Sequence, residues 1–463
     1  MRKLLAALAL APALALAQLP APVRDALARA GVPESAVSAV VEPAGGGPRL
    51  ASLNADRPLN PASAIKLVTT YAALDLLGPA YAFKTDVLVA GELSGGVLAG
   101  DLVLKGGGDP KLTYERLWQL VRQLRARGLR EIRGDVILDR SFFAPAPHDP
   151  AGFDGESRRA YNVGPDALLV NFKAIDFRFV PEPSGVRVLG EPDFPNVEIA
   201  SRVKAVAGAC NNWRRGIKYE IEENGLLATV VFSGTYPADC GEKTWPLSVF
   251  DADRYAESAF RWIWSETGGR FTGKVRAGTA PAGATLFHRF ESEPLAALVR
   301  DMNKFSNNVM ARQLFLALSA QKGAPGDAAA SERLVREWLA AKGIAAPGLA
   351  LENGSGLSRT DRIAASTLAA ILRAAWAAPV MPELVSSLSL FAVDGTFKTR
   401  NGSSAGQAHL KGGTLTGVQS VAGYVLDAKG ERRVVVMIVN HENANRAQPA
   451  LDALVDWTWR GAK

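Results

Sequence analysis

Apolar and polar residues alternate with different periods along the chain, and these periods predict its elements. A short helix-like stretch at 23–30 precedes a hairpin at 36–53, which turns at three consecutive glycines. Residues 61–78 predict a helix, because Pro61 lies near the start and Gly78 lies just past the end. From 81 to 284 the pattern changes to short strands with period-two alternation, separated by Gly, Pro, Asn and Asp turns.

The last part of the chain predicts helices followed by a final hairpin. Within the β-rich stretch only one helix is clear, near 113–127. Beyond residue 293 the pattern predicts helices at 294–304, 307–320 and 330–342, strands at 420–427 and 433–440, and a helix at 447–459.

The β-rich stretch separates two segments that each look incomplete. Residues 18–80 and 285–463 together amount to about 240 residues, an ordinary size for one domain. We therefore predict one discontinuous α+β domain made of 18–80 and 285–463, interrupted by a β-rich insertion over 81–284 of one or two subdomains. Three domains in linear order are the alternative that the pattern leaves open.

Composition narrows the class of protein. The 463 residues are 48% hydrophobic and 21% charged, which excludes a disordered chain. Charges interrupt each apolar run of the length a membrane span needs, so we expect no transmembrane anchor. A net charge of +7 with 46 interspersed acidic residues does not indicate a nucleic-acid partner. Four His and two Cys make a metal enzyme a poor hypothesis, and we expect no cofactor.

The first residues have the parts of a secretory signal peptide. Arg2 and Lys3 precede an apolar run from Leu4 to Leu16, and an Ala-Leu-Ala sequence ends at Ala17. We therefore predict a signal peptide over 1–17 and an exported, periplasmic mature protein. A buried N-terminal helix is the alternative.

Export also changes the interpretation of the two cysteines. Cys210 and Cys240 lie 30 residues apart in a chain that is expected to reach an oxidising compartment. One disulfide between them is the natural prediction, and two free buried thiols are the alternative.

A Ser-x-x-Lys motif places a hydroxyl and an amine on one face of a helix turn. The motif occurs three times, at Ser63/Lys66, Ser201/Lys204 and Ser319/Lys322. Only Ser63 lies at a predicted helix start, where the helix dipole favours negative charge. A neutral Lys66 next to Ser63 would be a suitable general base if burial and a second cation lower its pKa.

Two further short motifs mean little by themselves. Ser306-Asn307-Asn308 lies between two predicted helices, where such a sequence is typical of a helix N-cap provided by the Ser. Lys411-Gly412-Gly413-Thr414 precedes the terminal strands and is by itself typical of a turn.

Taken in order, the three motifs match the signature of penicillin-binding proteins and class A β-lactamases. The chain resembles the low-molecular-mass penicillin-binding proteins of the D-alanyl-D-alanine carboxypeptidase/endopeptidase type that carry a large insertion. The resemblance runs over most of 30–460, and further segments carry it, at 106–110, 161–171, 353–359, 393–396 and 417–424.

The resemblance implies a fold and a reaction. We expect a discontinuous transpeptidase domain of the penicillin-binding and serine β-lactamase type. Ser63 would attack the carbonyl of a D-Ala–X bond in a peptidoglycan stem peptide, Lys66 would take its proton, and the acyl-enzyme would be hydrolysed. β-Lactams would acylate the same serine. A homo-oligomer is compatible with the sequence.

The other motif residues have expected roles in this reaction. Ser306 would pass a proton to the leaving amine, Lys411 would keep its surroundings electropositive, and Asn308 would position Lys66 or the substrate's amide. The oxyanion hole would be formed by the backbone N–H groups of Ser63 and Thr414, next to Gly413.

One departure from the family concerns substrate recognition. The family usually has Lys-Thr-Gly, and its Thr helps to hold the substrate's carboxylate, whereas Gly412 occupies this position here. A β-lactamase or esterase with the same site, and a non-catalytic peptidoglycan-binding protein, therefore remain alternatives. Asp154 or Glu156 is a candidate partner for the cationic end of a stem peptide.

Overall fold

The computed structural model describes residues 18–321, 323 and 325–461, and the predicted signal peptide lies outside them. The helices are α1 (Ala21–Ala30), α2 (Lys66–Leu77), α3 (Tyr114–Ala126), α4 (Ala252–Glu266), α5 (Leu295–Phe305), α6 (Asn308–Ala320), α7 (Ala328–Ala341), α8 (Ala365–Trp376), α9 (Met381–Ser387) and α10 (Gln448–Trp459).

The strands are numbered in chain order, from the first hairpin to the last. They are β1 (Val37–Pro43), β2 (Ala51–Leu53), β3 (Pro58–Leu59), β4 (Lys84–Ser94), β5 (Val97–Gly106), β6 (Glu131–Ile132), β7 (Val136–Asp139), β8 (Ile175–Glu182), β9 (Gly185–Glu191), β10 (Val197–Val206), β11 (Ile217–Asn224), β12 (Leu227–Pro237), β13 (Lys243–Leu247), β14 (Arg270–Phe271), β15 (Val275–Ala277), β16 (Thr285–Glu291), β17 (Ile363–Ala364), β18 (Ser389–Leu390), β19 (Ala408–Leu415), β20 (Val418–Leu426) and β21 (Arg432–Asn440).

One six-stranded sheet unites the beginning and the end of the chain. Its strand order is β18-β19-β20-β21-β1-β2, and β1 pairs antiparallel with β21 from Val37↔Val439 to Pro43↔Arg433. The segments on both sides of the insertion therefore share one sheet, which a linear arrangement of three domains would not produce.

Both faces of this sheet are buried, because successive side chains of a strand point to opposite faces. Val434, Val436 and Ile438 join the core formed with α2 and α5–α9. Val435, Met437 and Val439 join a second core formed with α1 and α10. The sheet is thus the middle layer of three, and this layer holds β19 against the turn that precedes α2.

The insertion is built from a seven-stranded sheet, two three-stranded sheets and two helices. β4 and β5 lie in the larger sheet, and α3, α4 and strands β8–β13 complete one shared core. β16 pairs with β4, although the predicted insertion ends at residue 284. We propose that the inserted region extends to Glu291.

The sequence pattern identified α3 but missed α4. The buried face of α4 is formed largely by aromatic residues such as Tyr255, Phe260 and Trp264. Aromatic residues are also common in strands, and α4 is surrounded by strand-like sequence, so periodicity alone did not separate it. The side chain of Asp251 caps the start of α4 by accepting a hydrogen bond from the Arg254 N–H.

Cys210 and Cys240 form a disulfide within the insertion. It ties the segment after β10 to the turn after β12. No helix within the described part of the chain is both long enough and apolar enough to cross a bilayer.

Candidate active site

Ser63 lies in a single 3₁₀ turn, Ala62–Ile65, that leads into α2. Ala62 has a positive φ of 46°, a conformation that residues with a Cβ rarely adopt. The side chain of Asn60 supports this bend, because its Oδ1 accepts from the Ala62 N–H at 2.8 Å. Ala62 and Ala64 are fully buried, whereas Ser63 is half-buried. The turn therefore presents one hydroxyl from an otherwise buried segment.

Lys66 is the first residue of α2, and its amine is surrounded by three oxygen atoms. Its Nζ lies 3.0 Å from Ser63 Oγ and 2.7 Å from Asn308 Oδ1, and it also donates to the backbone carbonyl of Ser355. The side chain is fully buried. Burial, and then the charges of Lys411 and Arg312, hold the pKa of Lys66 well below its ordinary value, while Asp361 opposes this shift.

These three partners match the hydrogen-bonding capacity of a neutral amine. A neutral amine has two N–H donors and one lone pair. The Asn308 amide oxygen and the Ser355 carbonyl oxygen can only accept, so they fit the two donors. Ser63 Oγ is the one partner that carries a hydrogen of its own, so the lone pair is left to face it.

Ser306 lies between α5 and α6 in a left-handed conformation, with φ of 56°. Taken by itself, the Ser-Asn-Asn sequence is typical of an N-cap provided by Ser306, but the cap of α6 is the next residue. Asn307 is the cap, because its Oδ1 accepts from the Met310 N–H at 3.0 Å. The Ser306 hydroxyl is thus not engaged by the helix and instead accepts from Lys411 Nζ at 2.8 Å.

Lys411 lies within β19, and not in a turn as its Gly-Gly neighbours predicted. Its side chain is fully buried, and burial lowers its pKa to about 7. Lys411 Nζ donates to Ser306 Oγ and, at 2.8 Å, to the carbonyl of Gly412.

The two glycines after Lys411 allow β19 to run against the turn that holds Ser63. A Cβ on Gly413 would lie 2.8 Å from the Ser63 nitrogen and 2.5 Å from the Pro61 oxygen. Any larger residue at 413 would therefore displace the strand from the backbone of Ser63. Thr414 follows on the same strand, is exposed, and donates through Oγ1 to Gln419 at 3.1 Å.

The sequence matches one peptidase family over nearly its whole length. Residues 19–460 match the D-Ala-D-Ala carboxypeptidase 3 (S13) family. The chain belongs to this family. This membership confirms the predicted resemblance and the expectation of a serine-type peptidase.

Similar proteins support the same assignment. A D-alanyl-D-alanine carboxypeptidase from Actinomadura sp. (strain R39) is 30% identical to this S13 peptidase over 447 residues, which cover 92% of this chain and 82% of that protein. A crystal structure of penicillin binding protein 4 from Haemophilus influenzae matches with a TM-score of 0.78 at 24% identity, over 95% of this chain and 99% of that chain. A structure of the same protein in complex with a β-lactam matches with a TM-score of 0.74 at 24% identity, over 96% of this chain and all of that chain. These matches confirm the predicted fold, an α+β penicillin-binding domain with a β-rich insertion.

Gly412 leaves the S13 peptidase without a hydroxyl at this point of β19. A Cβ on Gly412 would lie 3.2 Å from two ring atoms of Phe397, which is a tight contact. Phe397 is buried and belongs to the core on that side of the sheet. The aromatic ring therefore occupies the space next to the position where the family usually has Thr.

Sequence reasoning missed the loop that holds Lys66 from the other side. Ser355 is fully buried, and both its N–H and its hydroxyl donate to Asn353 Oδ1, at 3.0 and 2.6 Å. A Cβ on Gly356 would lie 2.8 Å from the Ser63 nitrogen, so this loop also contacts the nucleophile's backbone. The Asn-Gly-Ser-Gly sequence at 353–356 was the available signal, but glycine spacing does not reveal which backbone the loop approaches.

Two buried charges near Lys66 also had no clear sequence signal. Arg312 lies one turn beyond Asn308 on α6 and donates to the backbone oxygen of Val163 in the insertion at 2.9 Å. Asp361 is fully buried, and burial raises its pKa to about 6. Val163 lies 149 residues before Arg312, and Lys66, on which the charge of Asp361 acts, also lies in a distant part of the chain. A single sequence does not specify such contacts.

A cavity of about 560 Å³ lies beside this site, between the insertion and the catalytic domain. Phe153, Arg312 and Arg359 contribute to its lining, and the Arg359 guanidinium lies 4.6 Å from the centre of the Phe153 ring. Asp154, a predicted substrate contact, accepts from the Tyr161 hydroxyl at 2.8 Å. In the described ranges, no group of three or more His, Cys, Asp or Glu side chains is arranged to hold a metal ion.

Proposed function

We propose that this protein hydrolyses D-Ala–X peptide bonds in peptidoglycan stem peptides through an acyl-enzyme on Ser63. The observation that carries the proposal is the position of Lys66 Nζ, which lies 3.0 Å from Ser63 Oγ and also contacts the Asn308 amide oxygen and the Ser355 carbonyl oxygen. Membership of the S13 family supports this substrate class.

Acylation begins when Ser63 Oγ attacks the carbonyl carbon of the D-Ala residue and its proton moves to Lys66 Nζ. The negative charge that develops on the carbonyl oxygen is stabilised by the backbone N–H groups of Ser63 and Thr414. The C–N bond then breaks, and Ser306 Oγ gives its proton to the leaving amine. Lys411 Nζ, which donates to Ser306 Oγ at 2.8 Å, replaces that proton.

Deacylation reverses the roles of the attacking groups. After Lys66 has lost its proton to solvent, it accepts a proton from a water molecule, which attacks the ester carbon. The ester bond to Ser63 Oγ breaks as Lys66 passes this proton to the departing Oγ, and the free acid leaves. Lys411 regains its proton from solvent, which restores the starting state. The fully buried amine keeps a lowered pKa, which favours its return to the neutral form.

We infer that the substrate binds along the outer edge of β19. β18 pairs with β19 only at residues 409 and 410, so residues 411–415 have no neighbouring strand on this edge among the described residues. An extended stem peptide can add to such an edge through backbone hydrogen bonds. β18 covers this edge at residues 409 and 410, so the open part begins at Lys411. We propose that stem termini and cross-links both bind along this open part.

We also propose that β-lactams acylate Ser63. The similar Haemophilus influenzae structure with a bound β-lactam supports this proposal. Because Gly412 has no hydroxyl, recognition of the carboxylate of a substrate or of a β-lactam falls to Thr414 and its neighbours.

The test is covalent labelling with a fluorescent penicillin. Wild-type protein is expected to be labelled, and Ser63→Ala is expected not to be. Ser201→Ala is the matched control, because Ser201/Lys204 has the same spacing but lies in β10. Labelling should be accompanied by release of D-Ala from a stem pentapeptide and by cleavage of cross-linked dimers.

Other outcomes of this experiment would favour the alternatives. Absence of labelling in the wild type would support a non-catalytic peptidoglycan-binding protein. Rapid loss of the label without D-Ala release would support a β-lactamase or esterase.

We propose that the mature protein begins near Gln18 and acts in the periplasm. The basic and apolar pattern of residues 1–17 supports this localisation. Fractionation of cells that express the full chain should recover a shortened protein in the periplasmic fraction. Full-length protein in the cytoplasm would contradict it.

A further inference from the structure

Two exposed tryptophans of the insertion line the same groove. The chain contains nine Trp, and only Trp118 and Trp262 are exposed, by 39% and 37%. Both line a groove of about 970 Å³ formed by α3, α4 and the strand ends around residues 188–199. Because large aromatic surfaces are normally buried, the exposure of these two rings in one groove points to a ligand that covers them.

The groove also presents hydrogen-bond acceptors that are free. Glu115, Asp176, Asp193 and Glu266 line it, and none of these carboxylates takes part in an ion pair or side-chain hydrogen bond with any other described residue. The one arginine of the groove, Arg178, is already paired with Glu191 at 2.8 Å.

A phenol next to these carboxylates provides a donor. Tyr114 lines the groove, and burial together with the charges of Glu266 and Glu115 raises its pKa to about 12. The Tyr114 hydroxyl therefore keeps its proton. The guanidinium of Arg122 lies 5.7 Å from the centre of the Trp118 ring and restrains that ring at the edge of the groove.

The groove continues on the other side of Trp262. A smaller depression of about 230 Å³ shares Trp262 and is also lined by Pro195, Leu226 and Arg261, with no carboxylate. Arg261 is itself paired with Glu257 at 2.7 Å, so the second part of the groove offers no free charge to a charged ligand. An uncharged chain with repeating rings and hydroxyls suits both parts.

We propose that this groove binds the glycan strand of peptidoglycan, the chain of amino sugars to which stem peptides are attached. The apolar faces of pyranose rings stack on Trp118 and Trp262, and the sugar hydroxyl and amide N–H groups donate to the free carboxylates. The proposal rests on the proposed function, because it assigns the insertion the task of holding the strand whose stem peptide enters the active site.

The direct test measures binding of a chito-oligosaccharide to the full mature chain carrying Ser63→Ala, by tryptophan fluorescence and calorimetry. Trp118→Ala and Trp262→Ala should each weaken binding by about tenfold, and Trp262→Tyr should restore part of it. Leu286→Ala is the matched control, because Leu286 is also exposed in the insertion but lies on β16, outside the groove. High salt should leave binding unchanged, because the ligand is uncharged.

The second test separates this proposal from the proposed function. The double Trp→Ala variant in the otherwise wild-type enzyme should hydrolyse a soluble stem pentapeptide at the wild-type rate, but should act several-fold more slowly on glycan-linked stems. Unchanged binding in the double variant, no oligosaccharide binding in the wild type, or salt-sensitive binding of a basic peptide instead would overturn the glycan assignment. If the wild type releases D-Ala from neither substrate, the proposed function is wrong. The result of the oligosaccharide-binding test would not be affected.

Discussion

At the scale of single residues, the protonation of the site around Lys66 depends on several basic side chains that are buried together. Lys66 and Lys411 are fully buried, and Arg312 is 6% exposed. Three cationic side chains so close together cannot all remain charged without a large electrostatic penalty. Arg312 cannot release its proton at accessible pH, and the charges of Arg312 and Lys411 add to burial in lowering the pKa of Lys66, so Lys66 is the group that becomes neutral.

Replacement of Lys66 by Met tests its proposed role as general base. Lys66→Met keeps the length of the side chain but removes the amine. We expect acylation by penicillin to slow by about 10² to 10⁴, the usual contribution of a general base. The midpoint of thermal unfolding should not fall, because the folded chain no longer has to bury an amine and hold it in its neutral form. Stopped-flow labelling and calorimetry measure the two effects, and an unchanged acylation rate would contradict the assignment.

The lowered pKa of Lys411 predicts a dependence of stability on pH. The folded chain releases this proton at about pH 7, whereas an unfolded chain holds it up to about pH 10.4. Between these values the unfolded state binds more protons, so the free energy of unfolding should rise with pH. Urea unfolding of wild type and Lys411→Met at several pH values measures this contribution. Identical pH dependence in both proteins would show that Lys411 does not titrate in this window.

At the scale of elements, each of the three motifs lies where two elements meet. Ser63 precedes α2, Ser306 separates α5 from α6, and Lys411 lies on the part of β19 that runs against the turn before α2. Such junctions bring side chains from distant parts of the chain together, while the elements themselves keep the backbone in place.

Two adjacent residues at the junction of α5 and α6 have different roles, Asn307 in stability and Ser306 in the proposed reaction. Asn307→Ala should lower the free energy of unfolding by about 1 kcal/mol, because it removes the cap of α6. Ser306→Ala should leave stability nearly unchanged, because Ser306 caps the end of α5 through its backbone N–H, which donates to the Met302 oxygen, and not through its hydroxyl. It should nevertheless slow D-Ala release strongly. Chemical unfolding and a D-Ala assay on both variants check this contrast. A larger stability loss in Ser306→Ala than in Asn307→Ala would reverse the assignment.

The contact between β19 and the turn before α2 requires a glycine. Gly413→Ala would bring a methyl group against the Ser63 nitrogen and the Pro61 oxygen, both of which are backbone atoms. We expect penicillin labelling to fall by at least tenfold, because the proposed oxyanion donors are displaced. Gly45→Ala is the control, since a Cβ there meets no atom within 4 Å. Equal labelling of the two variants would argue against a functional contact.

The sequence predicted the order of the motifs better than their local conformation. The helix that begins near Ser63 and the strand β21 follow from proline, glycine and apolar spacing, which act locally. Lys411-Gly412-Gly413 was interpreted as a turn, because glycine usually breaks strands, and the reason for glycine here lies in Ser63, about 350 residues earlier. Ser355 and Arg312 were missed for the same reason, since their roles depend on contacts between distant segments.

At the scale of the whole molecule, the insertion is held to the catalytic domain at α6. Gln313 exchanges two hydrogen bonds with the backbone of Asp166, both at 2.8 Å. Val163 and Leu169 of the insertion form a small apolar cluster with Val309 of α6. Since α6 also carries Asn308, the insertion contacts the same helix that positions Lys66.

The disulfide lies far along the chain from these contacts, and its removal should affect stability more than chemistry. Closing a loop of 30 residues contributes about 3–4 kcal/mol in the chain-entropy model. Replacement of Cys210 and Cys240 by Ser should therefore lower the unfolding midpoint while penicillin labelling at room temperature remains. Alkylation of the unfolded, unreduced wild type should add no mass. Two added alkyl groups would show that the bridge does not form.

The pairing of β1 with β21 determines when, during synthesis of the chain, the site can form. Ser63 and Lys66 are synthesised early, but the sheet that supports them lacks its central strand until Asn440 has been added. A chain that has not been completed therefore contains the nucleophile and its base without a functioning site. We therefore expect hydrolytic activity to appear only after β21 has been made and has paired with β1.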